Sequence, residues 1–149
     1  MALSWDQISE LELAQRYPET IDALEQRLRE FPQEAEAVIR LGFNLWYVVA
    51  EQGTIGGNLP FEQYAIRFMK LFNDYGEMLG DHADFCWVFG QGIQMFFFYF
   101  PGATEELGTR LIEKACQLDP MWSAFWRNPP PDTSRLRGRG IFQIYYTIP

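Results

Sequence analysis

Histidine occurs once in this chain, at His82, and cysteine twice, at Cys86 and Cys116. A single histidine excludes any site that needs two. No Cys-x-x-Cys or His-Glu-x-x-His pattern is present, and His82 with Cys86 four residues on supplies only two good zinc ligands. A histidine at a helix start among the acids Asp81 and Asp84 is the simpler reading of that cluster. Ser-His-Asp catalysis would have to use His82 as its base, and no Gly-x-Ser-x-Gly elbow accompanies it. "GQGIQM" at 90–95 lacks the last glycine of a dinucleotide fingerprint, and "GTIGGN" at 53–58 is not followed by Lys-Ser/Thr as a phosphate loop requires. Acids are plentiful, but a carboxylate pair for glycoside chemistry is defined by a separation in space. No catalytic residue, metal site or cofactor is therefore expected, and the chain reads as a non-enzyme.

A long hydrophobic run is also missing. The greasiest window, Phe85–Phe100, holds 16 residues and is interrupted by Gln91, Gln94 and two glycines. A bilayer span takes about 20 mostly apolar residues, so the window reads as a buried helix, and no membrane partner is expected. The start, "MALSWDQISELE", carries acids and no apolar run and does not look like a secretory signal. The cysteines lie in apolar helical patterns and read as buried thiols suited to a reducing cytoplasm; a disulfide between them stays open. Positive charge is scarce as well. Residues 1–126 carry eight Lys and Arg against 19 Asp and Glu, net −11, and residues 127–149 carry four Arg against one Asp, net +3. So acidic a body repels phosphate backbones, which argues against nucleic acid, and attracts basic proteins. Acidity also serves solubility alone.

What the chain does have is aromatics, 17% of its residues, and hydrophobics, 48%, enough for a substantial core in one domain. Its punctuation is helical. "SWDQ" is a capping box with Ser4 as N-cap and Gln7 reaching back, opening a helix to Tyr17. Pro18 suits the first turn of a second helix, with Ile21, Leu24 and Leu28 on one face, closed by Phe31–Pro32. A third runs over 33–52 with Ala35, Val38, Leu41, Leu45 and Val49 along one side. Gly53, Gly56 and Gly57 then break the chain before a fourth helix over 61–79, with Tyr64, Phe68, Leu71, Phe72 and Tyr75 at helical spacing. A fifth covers 81–100 and ends at Pro101–Gly102. Thr104 caps a sixth helix to Leu118, and Asp119–Pro120 opens a short seventh. These readings predict an all-α body of antiparallel helix pairs, about six or seven helices over residues 1–127. Residues 128–149 form a Pro-, Arg- and Gly-rich linker and an extended tail whose last nine residues, "IFQIYYTIP", are strand-like.

The internal layout carries a resemblance. "LREFPQEAEAVIRLGFNLWY" and "LIEKACQLDPMWSAFWR" each run an amphipathic helix into a proline that opens the next. Leu41–Gly42 with Leu45 resembles the Leu-Gly-x-x-large signature of a tetratricopeptide repeat, with Pro32 ten residues before Gly42 at the repeat boundary. Gly108, Ala115, Asp119 and Pro120 resemble the close of such a repeat, Trp126 falls at the next aromatic contact, and Phe89–Gly90 with Ile93 is a weaker echo. The likeness covers about Thr20 to Trp126 and implies a helical scaffold, with the Gly53–Asn58 loop and the long third and fifth helices breaking the usual period of about 34 residues. Small residues at Gly42, Gly90 and Gly108 let paired helices approach closely. The end, "LDPMWSAFW…RGRGIFQIYYTIP", is similar to the C-termini of small helical proteins encoded beside bacterial polymorphic toxins, and that likeness implies an immunity protein.

Two surfaces are candidates for binding. The fifth helix assigns Phe85, Phe89, Ile93, Phe96 and Phe100 to the core. Its other stripe, Trp87, Gln91, Gln94 and Phe98, reads either as a second buried face with its amides bonded to backbone or as the floor of a groove gripping a partner, joined by Trp46 and Tyr47. In the tail, Arg135, Arg137 and Arg139 either lie against the acidic body or leave the tail to pair with a partner's strand; an Arg-Gly RNA tail is a weaker third reading. The expected function is a cytoplasmic protein-binding module, an immunity-type protein that neutralises a basic toxin. An adaptor or secretion chaperone holding a peptide in the aromatic groove is the alternative, an uncharacterised enzyme the third, and homodimerisation through exposed aromatics stays open.

Overall fold

The computed structural model describes residues 1–125, 127, 128 and 130–139. Every regular element among them is helical. The helices are α1 (Trp5–Leu13), α2 (Tyr17–Glu30), α3 (Ala35–Ala50), α4 (Gln52–Ile55), α5 (Phe61–Leu79), α6 (Ala83–Phe96), α7 (Glu105–Leu118) and α8 (Pro120–Ala124), with 3-10 turns at Phe97–Tyr99 and Thr133–Leu136. The all-α arrangement of packed helix pairs expected from the sequence is thus observed. The strand-like reading of the last nine residues, and Trp126, lie outside the described residues.

Local chemistry sets the boundaries. Ser4 caps α1 through its hydroxyl, which accepts from the Gln7 N–H at 3.2 Å, while the Gln7 side chain accepts from the Ser4 N–H at 2.9 Å. The helix stops at Leu13, short of the expected Tyr17, because Gln15 takes a positive φ of 57° and turns the chain before Pro18 enters α2. Thr104 caps α7 on the Leu107 N–H, and Asp119 caps α8 on that of Met121. The largest departure is in the aromatic window. The helix predicted over 81–100 ends at Phe96, since Pro101 holds Phe100 extended at φ −109°, ψ 122°. The residue before a proline disfavours the helical region, and the three residues ahead of it tighten into a 3-10 turn.

Helix α3 is the hub. It packs on α2, α5 and α6, so it is buried nearly all round from Ala37 to Trp46, where periodicity predicted one apolar side. Helix α6 is the second buried helix and packs most extensively on α7. Glycines make these approaches. On Gly42 of α3 a Cβ would come within 2.5 Å of the Phe89 ring of α6, and on Gly92 of α6 within 2.6 Å of the Trp46 ring of α3. Each helix therefore seats a ring of the other on its bare backbone. Gly108 lies against the backbone of Gln94, and a Cβ on Gly90 would meet the side chain of Leu111 at 2.8 Å. Around them the rings of Phe68, Phe85, Phe89 and Phe100 interlock at 4.5–4.9 Å between centroids, spacings at which aromatic pairs add to burial.

The close approach of α6 and α7 predicts a contrast between two alanine substitutions. Gly108→Ala forces backbone apart and should cost about 1–3 kcal/mol. Gly53→Ala, which faces open space at an ordinary φ, should be neutral or stabilise by up to about 1 kcal/mol. Urea denaturation midpoints measure both.

Candidate functional site

The stripe predicted to bind a partner is not one surface. Trp46 and Trp87 are 1% and 7% exposed, and Gln91 is 5% exposed. Trp87 lies flat on Trp122 with 4.5 Å between centroids and 10° between planes, so α8 covers it. Gln94 is half-buried, and its amide donates to the Thr109 hydroxyl at 3.1 Å rather than to backbone. Tyr47 is half-buried between Tyr17 and Phe43, and burial followed by the neighbouring Tyr47 hydroxyl pushes the Tyr17 phenol up. Phe98 alone of the six is open, at 64%. The continuous aromatic and amide groove floor is therefore corrected: the α6 stripe is covered by α7 and α8, a consequence of the glycines that let α7 close on α6.

What the stripe loses, the end of the helix gains. The 3-10 turn rotates Phe98 and Tyr99 outward, and with Ile66 of α5 they line a shallow groove of about 260 Å³ edged by Glu62 and Pro101. Met95 and Ile66 are 46% and 51% exposed. The acidic first turn of α7, Glu105 and Glu106, follows directly after the Pro101–Gly102 break.

The second candidate surface behaves as the sequence suggests for two of its three arginines. The chain after α8 returns across the body. Arg139 is 8% exposed, with its Nε donating to Asp84 Oδ2 at 2.9 Å and its Nη1 to Glu36 Oε2 at 2.6 Å, while Nη2 pairs with the other Glu36 oxygen. Arg135 pairs with Asp119 and reaches Asp84 Oδ1 at 3.3 Å. Arg137 makes no such pair among the described residues; its carbonyl accepts from Arg139 Nη1 at 2.6 Å, and its Nε is buried without a partner. Between them Leu136 is buried at 2%. Gly138, at φ +65°, lies on the Arg40 side chain where a Cβ would collide; only glycine meets both conditions.

Beneath this segment the body supplies a line of buried charge. Arg40 pairs with Glu12, donates to the Ser9 hydroxyl at 3.0 Å, and lies 4.6 Å from the Trp5 ring centroid. Its Nη1 stands 3.9 Å from Glu36. Asp84 accepts from the Trp122 indole at 3.1 Å. Four carboxylates, Glu12, Glu36, Asp84 and Asp119, thus face one body cation, Arg40, and the returning segment supplies the rest of the positive charge. The hydrogen bond from Arg135 holds the Asp119 carboxyl below its usual range and raises the Arg135 guanidinium in turn. Burial opposes the charge on Arg139, and the Glu36 and Asp84 carboxylates outweigh it and hold its proton more tightly. Sequence reasoning missed Glu12, Glu36, Arg40, Asp84, Asp119 and Trp122. The available signal was a lone acid in "ADFCWVFG" and a lone arginine in "AVIRLGF", since a charge inside an apolar helix must be paired.

His82 sits at the N-cap of α6 with Nδ1 buried and no hydrogen-bond partner among the described residues. The Cys86 thiol donates to the Gly80 carbonyl at 3.2 Å, and burial pushes it up. Both cysteines are free. Among the described residues no group of three His, Cys, Asp or Glu is placed to hold a metal ion, and no helix is long and apolar enough to cross a membrane. No family model, curated protein or solved structure matches this chain.

The burial of Asp84 leads to a sharp expectation. Asp84→Ala leaves the buried Arg139 Nε and the Trp122 N–H together without their acceptor and should cost about 3–5 kcal/mol. Asp74→Ala, which removes the exposed pair with Lys70, should cost less than about 1 kcal/mol. Guanidinium denaturation of the two variants makes the comparison.

The depressed Asp119 carboxyl fixes a pH dependence. The Arg135–Asp119 contribution to holding the segment is fully present above the ordinary Asp value of 3.8 and is lost as pH falls through the lower folded value. Amide exchange at Arg137 and Arg139, whose N–H groups bond Ser134 and Leu136, should therefore stay slow, after correction for intrinsic rates, down to about pH 4 and quicken below it.

Proposed function

We propose that this chain is a non-enzymatic protein-binding module, and within that class an immunity-type protein that neutralises a basic toxin partner. The observation that carries the reading is the exposed groove of Phe98, Tyr99 and Ile66 edged by Glu62, on a chain of net charge −8 whose other large rings, among the described residues, are mostly packed inside. Contiguous apolar surface rimmed by polar groups marks interaction sites, and aromatic anchors dominate binding energy where they are desolvated. The acidic surround speeds the approach of a basic partner and rejects acidic ones. Blocking a toxin needs a surface and no catalytic groups. The tetratricopeptide-like spacing and the immunity-like C-terminal sequence support the same reading. The alternative, a chaperone holding a peptide in an aromatic groove, loses support with the burial of Trp46, Trp87 and Gln91.

The test is genetic and biophysical. A basic toxin domain encoded beside this gene should arrest growth when expressed alone, and co-expression of this chain should restore it. Phe98→Ser with Tyr99→Ser should weaken complex formation by about 2 kcal/mol or more, roughly thirty-fold in Kd by titration calorimetry, without loss of fold. Full rescue and unchanged affinity by the double variant would remove the patch from the interface. A neighbouring toxin that this chain neither binds nor silences would remove the immunity reading.

A further inference from the structure

The cleft under the C-terminal segment is a guanidinium-binding site that this chain fills with its own arginines. Three features of the contact are those of ligand recognition. The Arg139 fork meets two carboxylates at once, Nε to Asp84 at 2.9 Å and the two Nη groups to both oxygens of Glu36. Such fork-to-carboxylate pairing is geometrically selective for arginine over lysine. An apolar anchor, Leu136, sits between the two charged contacts and is 2% exposed. The backbone between them runs edge-on across Arg40 through Gly138, with no side chain interposed. The binding determinants are thus arginine, a leucine next to it, and a second arginine four residues from the first, held by carboxylates on α3, α6 and the α8 cap.

Charge shows why the site wants an occupant. Without the segment, Arg40, paired with Glu12 and 3.9 Å from Glu36, is the one cation the ion pairs of the described residues leave to Glu12, Glu36, Asp84 and Asp119, a net −3 in a partly buried cleft, and Asp84 is 7% exposed at its side chain. Buried like charges without partners are strongly unfavourable, so the cleft takes cations from whatever chain offers them in the right geometry. Among the contacts of the described residues, the segment is held by these pairs and by Leu136, with backbone hydrogen bonds from Arg137 to Ser134 and from Arg139 to Leu136. Arg135 is the looser of the two arginines, 42% exposed at its side chain, and offers a place where an incoming arginine can begin the exchange.

We infer that residues 134–139 act as an internal pseudo-ligand, and that the Glu36–Asp84–Asp119 cleft is a second docking site, taken over by an arginine-bearing extended segment of the basic partner when it displaces this chain's own. The inference rests on the reading of the chain as a binder of a basic protein, and adds to it the chemical feature the partner must present. In this scheme the internal arginines keep the cleft neutral when no partner is bound and set a threshold: a ligand must outcompete a tethered copy whose effective concentration is in the millimolar range. Only a partner that also engages the separate Phe98 patch gains the same advantage of tethering.

The experiment uses the full chain and a defined probe, the acetylated and amidated hexapeptide Ser-Arg-Leu-Arg-Gly-Arg. The variant Arg135→Ala with Arg139→Ala empties the cleft of its own guanidinium groups. It should bind the peptide at least about ten-fold more tightly than the wild type, with affinity falling as NaCl is raised. Adding Glu36→Gln to that variant should abolish the gain, and a peptide with lysine in place of each arginine should bind at least several-fold more weakly. In the wild-type chain, saturating peptide should quicken amide exchange at Arg137 and Arg139 while leaving α3 and α6 protected. A folded double variant with no gain over the wild type overturns the inference, as does a gain that survives Glu36→Gln. Should the double variant not fold, Arg135→Ala alone carries the same comparison, its guanidinium being the half-exposed one. A wild-type dimer that the peptide dissociates would place a second copy's segment in the cleft and overturn the assignment to a different partner. The probe needs no toxin, so its failure leaves the growth-rescue result standing, and failure of growth rescue leaves the cleft measurement standing.

Discussion

Helix α6 can be buried on every side because four positions around it carry no side chain. Gly42 and Gly92 trade rings across the α3–α6 contact, and Gly90 and Gly108 bring α6 and α7 together backbone against backbone. Remove that closeness and α7 stands off, α8 no longer covers Trp87, and Asp119 moves away from the Arg135 it holds. The geometry of the charged cleft is thus set by apolar packing some distance from it. A methyl group at Gly108 meets main chain, which cannot swing aside as a side-chain tip can, so the contact behaves as fitted or broken with little between.

The same close fit creates the electrostatic problem that the C-terminal segment answers. Asp84 stands one residue inside the N-terminus of a helix whose following residues are buried without interruption to Ile93. An acid there cannot reach water and cannot go unpaired. The Trp122 indole and two guanidinium groups satisfy it, and both guanidinium groups come from beyond α8. In burying its central helix this fold has therefore made the order of its last described residues a condition of comfort for the core. The arrangement need not be the most stable one available, since an apolar replacement of a buried pair often does as well. On the docking proposal, what the charges would add is selectivity for which segment, and which residue type, occupies the cleft.

Much of the fold was legible because its punctuation is local. The Ser4–Gln7 box, the Thr104 cap, and the prolines at 18, 101 and 120 act within a few residues of themselves, and the fourth predicted helix, 61–79, coincides with α5. The cleft was legible only in part. The sign of the tail's charge pointed Arg135 and Arg139 at the body, but their partners lie far along the chain: Arg139 meets Glu36 across 103 residues, and Arg40 meets Glu12 across 28. No periodicity links such pairs; only packing does. The aromatic stripe failed for a related reason. Helical geometry extended to Phe100 puts Trp87 and Phe98 on one face, whereas the constraint of Pro101 on Phe100 ends the helix at Phe96 and turns the last rings the other way.

The two surfaces that result differ in how they discriminate. The Phe98 patch is apolar and shallow, and such surfaces supply affinity with modest selectivity, since any ring or aliphatic chain of suitable size gains from burial there. As a docking site the carboxylate cleft would supply little net affinity, because each guanidinium must shed its water to enter, but it would disfavour lysine geometrically and acidic segments electrostatically. If the protein acts as proposed, by silencing one partner among many, it would need both properties and would gain from keeping them apart. In the proposed scheme apolar contact would hold a partner long enough for a tethered arginine to compete with the resident one, and only a chain carrying both features would complete the exchange. On the docking proposal, filling the cleft with its own arginines would keep the unbound protein from presenting a net −3 pocket to unrelated basic segments, at the cost of part of the energy a partner would otherwise gain.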